Sequence, residues 1–407
     1  MPGPLSHIRV LDLSRVLAGP WAAQNLADLG AEVIKVERPG SGDDTRGWGP
    51  PWLKDGAGQD TGESAYFLSV NRNKKSITVD IARPAGQGLV REIALKSDVL
   101  IENYKVGTLK RYGLAYHDLK TVNPGLVYCS VTGFGQHGPY AQRPGYDFIF
   151  QGMGGLMSIT GERDDYPGGG PQKVGIAITD VLTGMYASLA ITAALTHRER
   201  TGQGQYIDIA LLDTIVAFNA SQIVSYFTSG RIPIRWGNAH PQVVPYEVFA
   251  TSDGHIILAV GNDGQFQRFC KEAGCAELAD EPRFANNSQR IIHRRELIPI
   301  LADIMRQRTK QDWLESLEKS TVPCGPINNM KEVFEDAQVK HSALRVDIAH
   351  PLGSVAPVVA SPMRLSETPV EYRLAPPLLG QHNEEVLKGL LGKSDAEFQA
   401  LKANGIV

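Results

Sequence analysis

The sequence predicts an α/β protein: a Rossmann-like parallel-sheet large domain joined to a smaller α+β domain. Three observations lead there. Strand-like and helix-like segments alternate over residues 8–132. The composition shifts at Gly230-Arg-Ile-Pro-Ile-Arg-Trp-Gly-Asn-Ala-His-Pro241, as a linker does. The chain is also 407 residues long, too many for one core of ordinary size.

Residues 8–13 read as a strand, and Gly19-Pro20 opens a helix that Gly30 stops. Residues 32–37 form the next strand. Proline just inside a helix start and glycine just past its end follow from the missing N–H of one and the left-handed freedom of the other. A second unit runs as strand 76–81, helix 85–97 and strand 99–102, and 125–132 adds a further strand. Residues 133–175 are rich in Gly, Pro and aromatic side chains and too long for a plain connection, which points to a functional loop. Asp180 then opens a helix whose apolar residues (Val181, Leu182, Met185, Tyr186, Leu189, Leu195) recur at helical spacing. Strand 201–210 and helix 212–229 lead to the linker. Beyond it lie strands 246–251 and 256–260 and helices 264–273, 290–308 and 310–320. Strand-like pieces at 343–350 and 357–363, a Pro-rich stretch at 374–380 and a helical piece at 383–391 end the ordered part. These limits give a large domain over 1–225, a small domain over 226–330 with its linker at 226–245, and a return to the large domain over 331–407.

Composition excludes several functions. A net charge of −3 with scattered Lys and Arg leaves no footprint for nucleic acid. Cys129, Cys270, Cys275 and Cys324 have no C-x-x-C spacing, so they read as reduced thiols, with no disulfide frame and no zinc site. The ten histidines form no H-x-x-H or H-E-x-x-H pattern, so no metal centre is expected. No basic region precedes an apolar one at the N-terminus, and no apolar run reaches about 18 residues, so neither export nor a membrane span is expected. The protein reads as cytoplasmic. The first turn lacks G-x-G-x-x-G, and the one such string, Gly133-Phe-Gly-Gln-His-Gly138, runs into Pro139 instead of a helix, which argues against a dinucleotide site. There is no G-x-S-x-G elbow for a serine hydrolase, and Cys129 sits in a core strand.

A carboxylate, Asp180, remains as the nucleophile candidate. Its local reading is a helix cap: Asp accepts a backbone N–H that the helix start leaves unmet, and the helix end favours its ionised form. The Gly-rich approach Gly168-Gly-Gly-Pro171 and the small Gly184 one turn on indicate that something else comes close. In the first half, Arg15, Arg38, Arg72, Lys74, Lys75, Lys105, Lys110, Arg111 and Arg143 lie near strand ends or in loops. Each alone reads as a solvated charge. Together with Asn71, Asn73 and Asn103 they suggest a phosphate-reading surface for a compact polyanion such as a nucleotide-containing coenzyme.

An ordered series of strings resembles the class III coenzyme A transferases, the group of formyl-CoA transferase and carnitine CoA-transferase. The series comprises Val10-Leu-Asp-Leu-Ser-Arg-Val-Leu-Ala-Gly-Pro20, Gly30-Ala-Glu-Val-Ile-Lys-Val-Glu-Arg-Pro39, Glu102-Asn-Tyr-Lys-Val-Gly107, Asp180-x-x-Thr-Gly184 and Arg200-Thr-Gly-Gln-Gly204. Further strings, Ser69-Val-Asn-Arg-Asn-Lys-Lys-Ser76, Arg235-Trp-Gly-Asn-Ala-His240 and Cys324-Gly-Pro-Ile-Asn-Asn-Met330, resemble succinyl-CoA-dependent dicarboxylate transferases acting on glutarate, hydroxymethylglutarate or itaconate. Formyl-CoA transferases carry Gln where this chain has Leu17, which argues against formate and oxalate. The resemblance implies that Asp180 is the covalent nucleophile. It implies that CoA is held by Val16, Leu17, Ala18, Arg38, Val79, Asn103, Tyr104, Lys105, Arg111, Arg143 and Tyr146; Arg72 joins them from the basic ring. It also implies an interlocked homodimer with the linker threading between subunits. CoA and acyl-CoA are substrates, a small carboxylic acid is the other reactant, and no permanently bound cofactor is expected.

The residue type suits the chemistry. A carboxylate attacking an acyl-CoA gives a mixed anhydride, which conserves the activation of the thioester, whereas a serine would give an ordinary ester. Backbone N–H groups of the Leu17–Ala18 turn, or of the 261–265 loop with Asn262 and Gly264, are oxyanion candidates. Arg15, Arg235 and His240 are candidates for the remote carboxylate of a diacid. An acyl-CoA racemase on the same scaffold is the first alternative, but it would use a His in residues 125–135, which contain none. A non-catalytic CoA-binding protein is the second.

Overall fold

Six strands, β1 (Arg9–Asp12), β2 (Glu32–Glu37), β3 (Lys74–Thr78), β4 (Val99–Glu102), β5 (Val127–Thr132) and β6 (Tyr206–Ala210), make one parallel sheet in the order β3-β2-β1-β4-β5-β6. In this computed structural model, which describes residues 2–407, β1 is central. Val10 faces Val33 on one side and Val99 on the other, and Leu11 faces Ile34 and Leu100. Every residue of β5 is buried, as expected of parallel strands covered on both faces. The covering helices include α1 (Ala18–Asp28), α2 (Pro84–Leu95), α3 (Asp147–Met153), α4 (Ile178–Thr201) and α5 (Leu211–Phe218).

The chain divides into two units. Residues up to Leu156, Val174–Val224 and Lys340–Val407 form the first; Met157–Lys173 and Ser225–Val339 form the second. Residues 157–173, which the sequence leaves in the large domain, belong with the second unit. There β7 (Tyr246–Ala250), β8 (His255–Ala259) and β9 (Cys324–Pro326) pair antiparallel in the order β9-β8-β7. Helices α6 (Asp263–Glu272), α7 (Arg294–Met305) and α8 (Lys310–Lys319) close a core around Phe249, Phe266, Phe269, Leu297 and Trp313.

Several elements differ from expectation. Strand β3 starts at Lys74 rather than 76. The helix expected at 212–229 breaks at Asn219, and the one at 290–308 breaks at His293. The C-terminus is ordered past 391: Asp395–Ala403 is a helix with a capping box between Ser394 and Glu397, and Phe398 and Ile406 join the core of Leu11 and Ile34. By length and composition α4 is apolar enough to cross a bilayer. It packs against α1 and the sheet through Thr183, Gly184, Ala187, Ile191 and Ala194. Gly184 sets that approach, because a Cβ there would lie 2.5 Å from the Ala18 carbonyl oxygen and 3.0 Å from Trp21.

Beneath the carboxyl ends of the strands lies a cluster of buried charge. Lys74 Nζ donates to Asp12 (3.1 Å), the Pro20 carbonyl and Asn71; Lys35 Nζ donates to Asp43 (2.9 Å) and the Ser14 carbonyl. Lys35, Lys74 and Asp12 have no exposed surface. Burial alone would push Asp43 up, but Lys35 and the Thr45 N–H outweigh it and hold its carboxyl at about 2. Burial brings Lys74 down to about 8 despite Asp12. We expect Lys35→Met, which keeps the chain length and strands Asp43, to cost about 3–5 kcal/mol. The measurement is the urea midpoint at unchanged m. Adding Asp43→Asn should recover much of that loss, and a double variant no better than the single one would contradict the pairing.

Candidate active site

The turn after β1 is held in a conformation its sequence would not choose. Val16 has φ of 70°, a left-handed value that is rare for a β-branched residue and costs about 1–3 kcal/mol. Its N–H donates to both carboxylate oxygens of Asp43 at 3.2 Å. Asn103 clamps the other side, accepting from the Arg15 N–H (2.9 Å) and donating to the Arg15 carbonyl (2.7 Å). The Arg15 guanidinium pairs with Asp44 at 3.0 Å and lies 5.7 Å over the Tyr104 ring. Helix α1 then begins without a side-chain cap. The N–H groups of Leu17 and Ala18 meet no acceptor among the described residues.

Asp180 is the third residue of α4, in the first turn but not at the cap. The capping role expected of it falls to Asp147 instead. Oδ1 of Asp147 accepts the Thr179 N–H at 2.7 Å, and Oδ2 accepts from Gln151 Nε2 at 2.6 Å. Gln151 also accepts the Val174 N–H (2.9 Å) and donates to the Ile176 carbonyl (3.3 Å), which fixes the approach to the helix. The Asp180 carboxyl is part-buried and has no hydrogen-bond partner among the described residues. Burial and then the facing Asp147 push it up to about 7. The expected stabilisation of the ionised form by cap bonds is therefore absent.

Asp180 lines a cavity of about 320 Å³ together with Val16, Leu17 and Ala18. Asn103, Tyr104 and Lys105 enter it from the loop after β4; Arg143 and Tyr146 come from the long loop before α3. Arg143 stacks 4.5 Å over Tyr140, which steadies an exposed cation. A second cavity of about 260 Å³ is lined by Arg38, Val79 and Ala82. Arg15, Asp44 and Tyr104 line both, so the two are neighbours that share a wall.

Other expected residues are placed elsewhere. Arg111 is exposed at the end of the short helix Thr108–Arg111 and lines neither cavity. Arg72 turns inward: it is 4% exposed, donates through Nε to Asp28 at 3.0 Å and through Nη1 to the Val359 carbonyl at 2.9 Å, and lies over the Tyr372 ring. Its guanidinium is fully engaged in holding the fold. Lys74 is the buried partner of Asp12, and Lys75 pairs with Glu32 and Glu385. Arg235, His240, Asn262 and Gly264 lie in the second unit. Arg235 is paired with Asp164, and His240 packs at a tilt against Tyr246 and accepts the Gln242 N–H at 3.0 Å. Asn262 caps α6 by accepting the Gln265 N–H at 2.9 Å, which occupies the amide oxygen, and Gly264 sits in the first turn.

The sequence reading missed Asp147, Gln151 and Glu102. Glu102 ends β4, accepts the Tyr104 N–H at 2.8 Å and bonds Ser130, so it sets the loop that carries Asn103 to Lys105. Burial pushes its carboxyl up to about 8. No group of three or more metal-ligating side chains occurs among the described residues.

The family model "CoA-transferase family III" matches residues 5–383. The chain belongs to that family. It is 51% identical over 387 residues to a succinate–glutarate CoA-transferase of Agrobacterium fabrum, covering 95% of this chain and 96% of that protein. It is 44% identical over 404 residues to the human succinyl-CoA:glutarate CoA-transferase, covering 99% and 90%. The crystal structure of a CAIB/BAIF family protein from Brucella suis superposes with a TM-score of 0.84 at 46% identity, covering 96% of this chain and all of that one. The protein is thus a CoA-transferase, an enzyme whose substrates are CoA thioesters.

A nucleophilic role for Asp180, the expectation from sequence, would require its ionised form, and activity should then climb as pH rises through about 7. Asp147→Asn removes the facing charge and keeps an amide oxygen for the Thr179 N–H. The acidic limb of kcat/KM should then move to lower pH by about half a unit or more. A limb that stays in place would show that Asp147 does not act on Asp180.

Proposed function

We propose that this CoA-transferase moves CoA from succinyl-CoA to a dicarboxylic acid of the glutarate type through covalent intermediates on Asp180. The observation that carries the reading is an unbonded carboxyl at a helix start, lining a cavity that shares Arg15, Asp44 and Tyr104 with the Arg38 cavity. The relatives named for succinate, succinyl-CoA and glutarate supply the substrate class. In this reading the nucleotide end of CoA lies against Arg38 and Val79–Ala82, and the chain carrying the thioester passes Tyr104 and Arg15 to reach Asp180.

An Asp180 oxygen attacks the thioester carbonyl, the C–S bond breaks, and CoA thiolate leaves a mixed anhydride. The thiolate attacks the aspartyl carbonyl of that anhydride, giving an aspartyl-CoA thioester and free succinate. The acceptor carboxylate displaces CoA from that thioester, and the released thiolate takes the acceptor acyl group, returning Asp180 as the carboxylate. No net proton is consumed. The unmet N–H groups of Leu17 and Ala18 are the donors best suited to the oxyanion, being fixed before reaction. Arg15, which lines both cavities, is the favoured partner for the remote carboxylate. Water must be kept from the anhydride, a task we assign to the Arg143–Tyr146 loop.

The reading includes a homodimer. Met185, Tyr186 and Leu189 form an exposed apolar strip on α4, and Phe227 and Ile232 are still more exposed. Sedimentation as a monomer at micromolar concentration would remove that part.

Succinyl-CoA with hydroxylamine should inactivate the enzyme only when both are present, with the modification on the Asp180 peptide by mass spectrometry. Labelled succinate should enter succinyl-CoA with the wild type and not with Asp180→Ala. Exchange that survives in Asp180→Ala would refute the nucleophile. Among diacids, glutarate should give the highest kcat/KM, and a monocarboxylate outperforming every diacid would refute the substrate class.

A further inference from the structure

The second unit contains a cavity of about 460 Å³, within the usual ligand-pocket range of about 300–1,000 Å³. Four segments of that unit meet there: residues 162–166, residues 236–239 of the linker, the start of α7, and β7. Arg294 opens α7 and is 8% exposed, with its guanidinium 4.5 Å over the Trp236 ring. Nη2 donates to the His240 carbonyl. Nε and Nη1 are buried and meet no acceptor among the described residues. A guanidinium has only donors, and a buried donor left unmet is costly, so an acceptor is expected at this position.

The acids lining the cavity do not fill that role. Asp165 is held by the Arg163 guanidinium, and Glu162 accepts the Arg163 N–H at 2.7 Å. Glu247, on β7, has neither an ion pair nor a hydrogen bond among the described residues, although Arg294 and Arg163 both act on its charge. Arg163 is occupied with Asp165 and stacks on Tyr166 and Trp236. Arg295 is exposed at the rim. A buried cation with two unmet donors and an acid without a donor therefore line one cavity, with an indole ring beside them and no direct bond between them.

We infer that this cavity binds a small acid that presents its carboxylate to Arg294 and a hydroxyl or ammonium donor to Glu247, with Trp236 covering the carbon chain. The carboxylate meets Nε–H and Nη1–H in charge-assisted bonds. The donor end distinguishes this ligand from a simple diacid, whose second negative end would face Glu247. The inference is independent of the transfer chemistry at Asp180, since none of the residues it uses lines that cavity.

The test is calorimetric titration of the full-length enzyme with four probes: 4-aminobutyrate, 4-hydroxybutyrate, glutarate and acetate. 4-Aminobutyrate or 4-hydroxybutyrate should bind once per chain and at least about tenfold more tightly than glutarate at this site, the difference one good polar contact makes. Arg294→Lys should weaken that binding by about tenfold or more. Glu247→Gln should abolish the preference over glutarate, and Asp180→Ala should leave the binding intact. Where Arg294→Lys is misfolded by circular dichroism, Glu247→Gln decides, because its side chain is only part-buried. The proposal is overturned if no donor-bearing acid binds at millimolar concentration, or if binding survives in both second-unit variants. Loss of binding in Asp180→Ala alone would assign the acids to the transfer site and overturn it equally.

Discussion

The buried pairing of Lys35 with Asp43 and of Lys74 with Asp12 is the constraint on which the candidate site rests. These groups join β1, β2 and β3 to the turn that follows β1, and almost every polar atom is used. Asp43 accepts from Lys35, the Val16 N–H, and the Thr45 N–H and hydroxyl. Asp12 accepts from Lys74 and from Ser14. A buried ion pair adds little to stability compared with a well-packed apolar group, so its value must lie in what it specifies. Here it specifies a backbone: with both Val16 and Ser14 tied to the Lys35–Asp43 pair, Val16 is held in the left-handed region. The first N–H groups of α1, on residues that line the cavity, are then left without an acceptor among the described residues. Gly184 completes the arrangement by letting α4 approach α1 closely enough for both helix starts to serve one space.

Much of this was legible in the sequence, and the failures share a cause. The opening β-α-β unit, the linker and Asp180 were visible because each carries a local signal, in period, composition or turn chemistry. Arg72, Lys74 and Lys75 read as a solvated cationic surface because nothing in Arg72-Asn-Lys-Lys75 says which way the side chains point. Their partners Asp28 on α1, Asp12 on β1, Glu32 on β2 and Glu385 near the C-terminus lie on other elements, and only the packing of those elements brings them together. Arg38 and Arg143 escape that fate because they lie in loops beyond strand ends. The C-terminal helix was a different miss: Ser394 and Glu397 already have capping-box spacing, so that signal was present and went unread. The break at Asn219 had no comparable local marker.

Asp147 is the most consequential residue that the sequence could not reveal. It lies 33 positions before Asp180 (180 − 147), and only the packing of α3 against α4 brings it to the start of that helix. Once it takes the Thr179 N–H, Asp180 has no structural duty to perform. A capping carboxylate would be stabilised by the bonds it accepts, and those same bonds would weaken it as a nucleophile. Separating the two tasks between two acids leaves one bonded and inert and the other bare.

The bare acid carries a cost to the fold that follows from its own titration. An Asp raised in the folded state binds its proton more tightly there than in the unfolded chain. It therefore weakens the fold progressively as pH climbs from the ordinary carboxylate range towards about 7, and the penalty is complete above that. A residue kept only as a cap would show the opposite sign. A carboxylate poised near neutral pH is the compromise that the proposed covalent transfer needs: basic enough to attack a thioester, yet ionised in a large fraction of molecules. The rigid surroundings of Asp180, with Asp147 and Gln151 fully bonded and Val16 held by Asp43, keep that unfavourable charge from relaxing into a hydrogen bond.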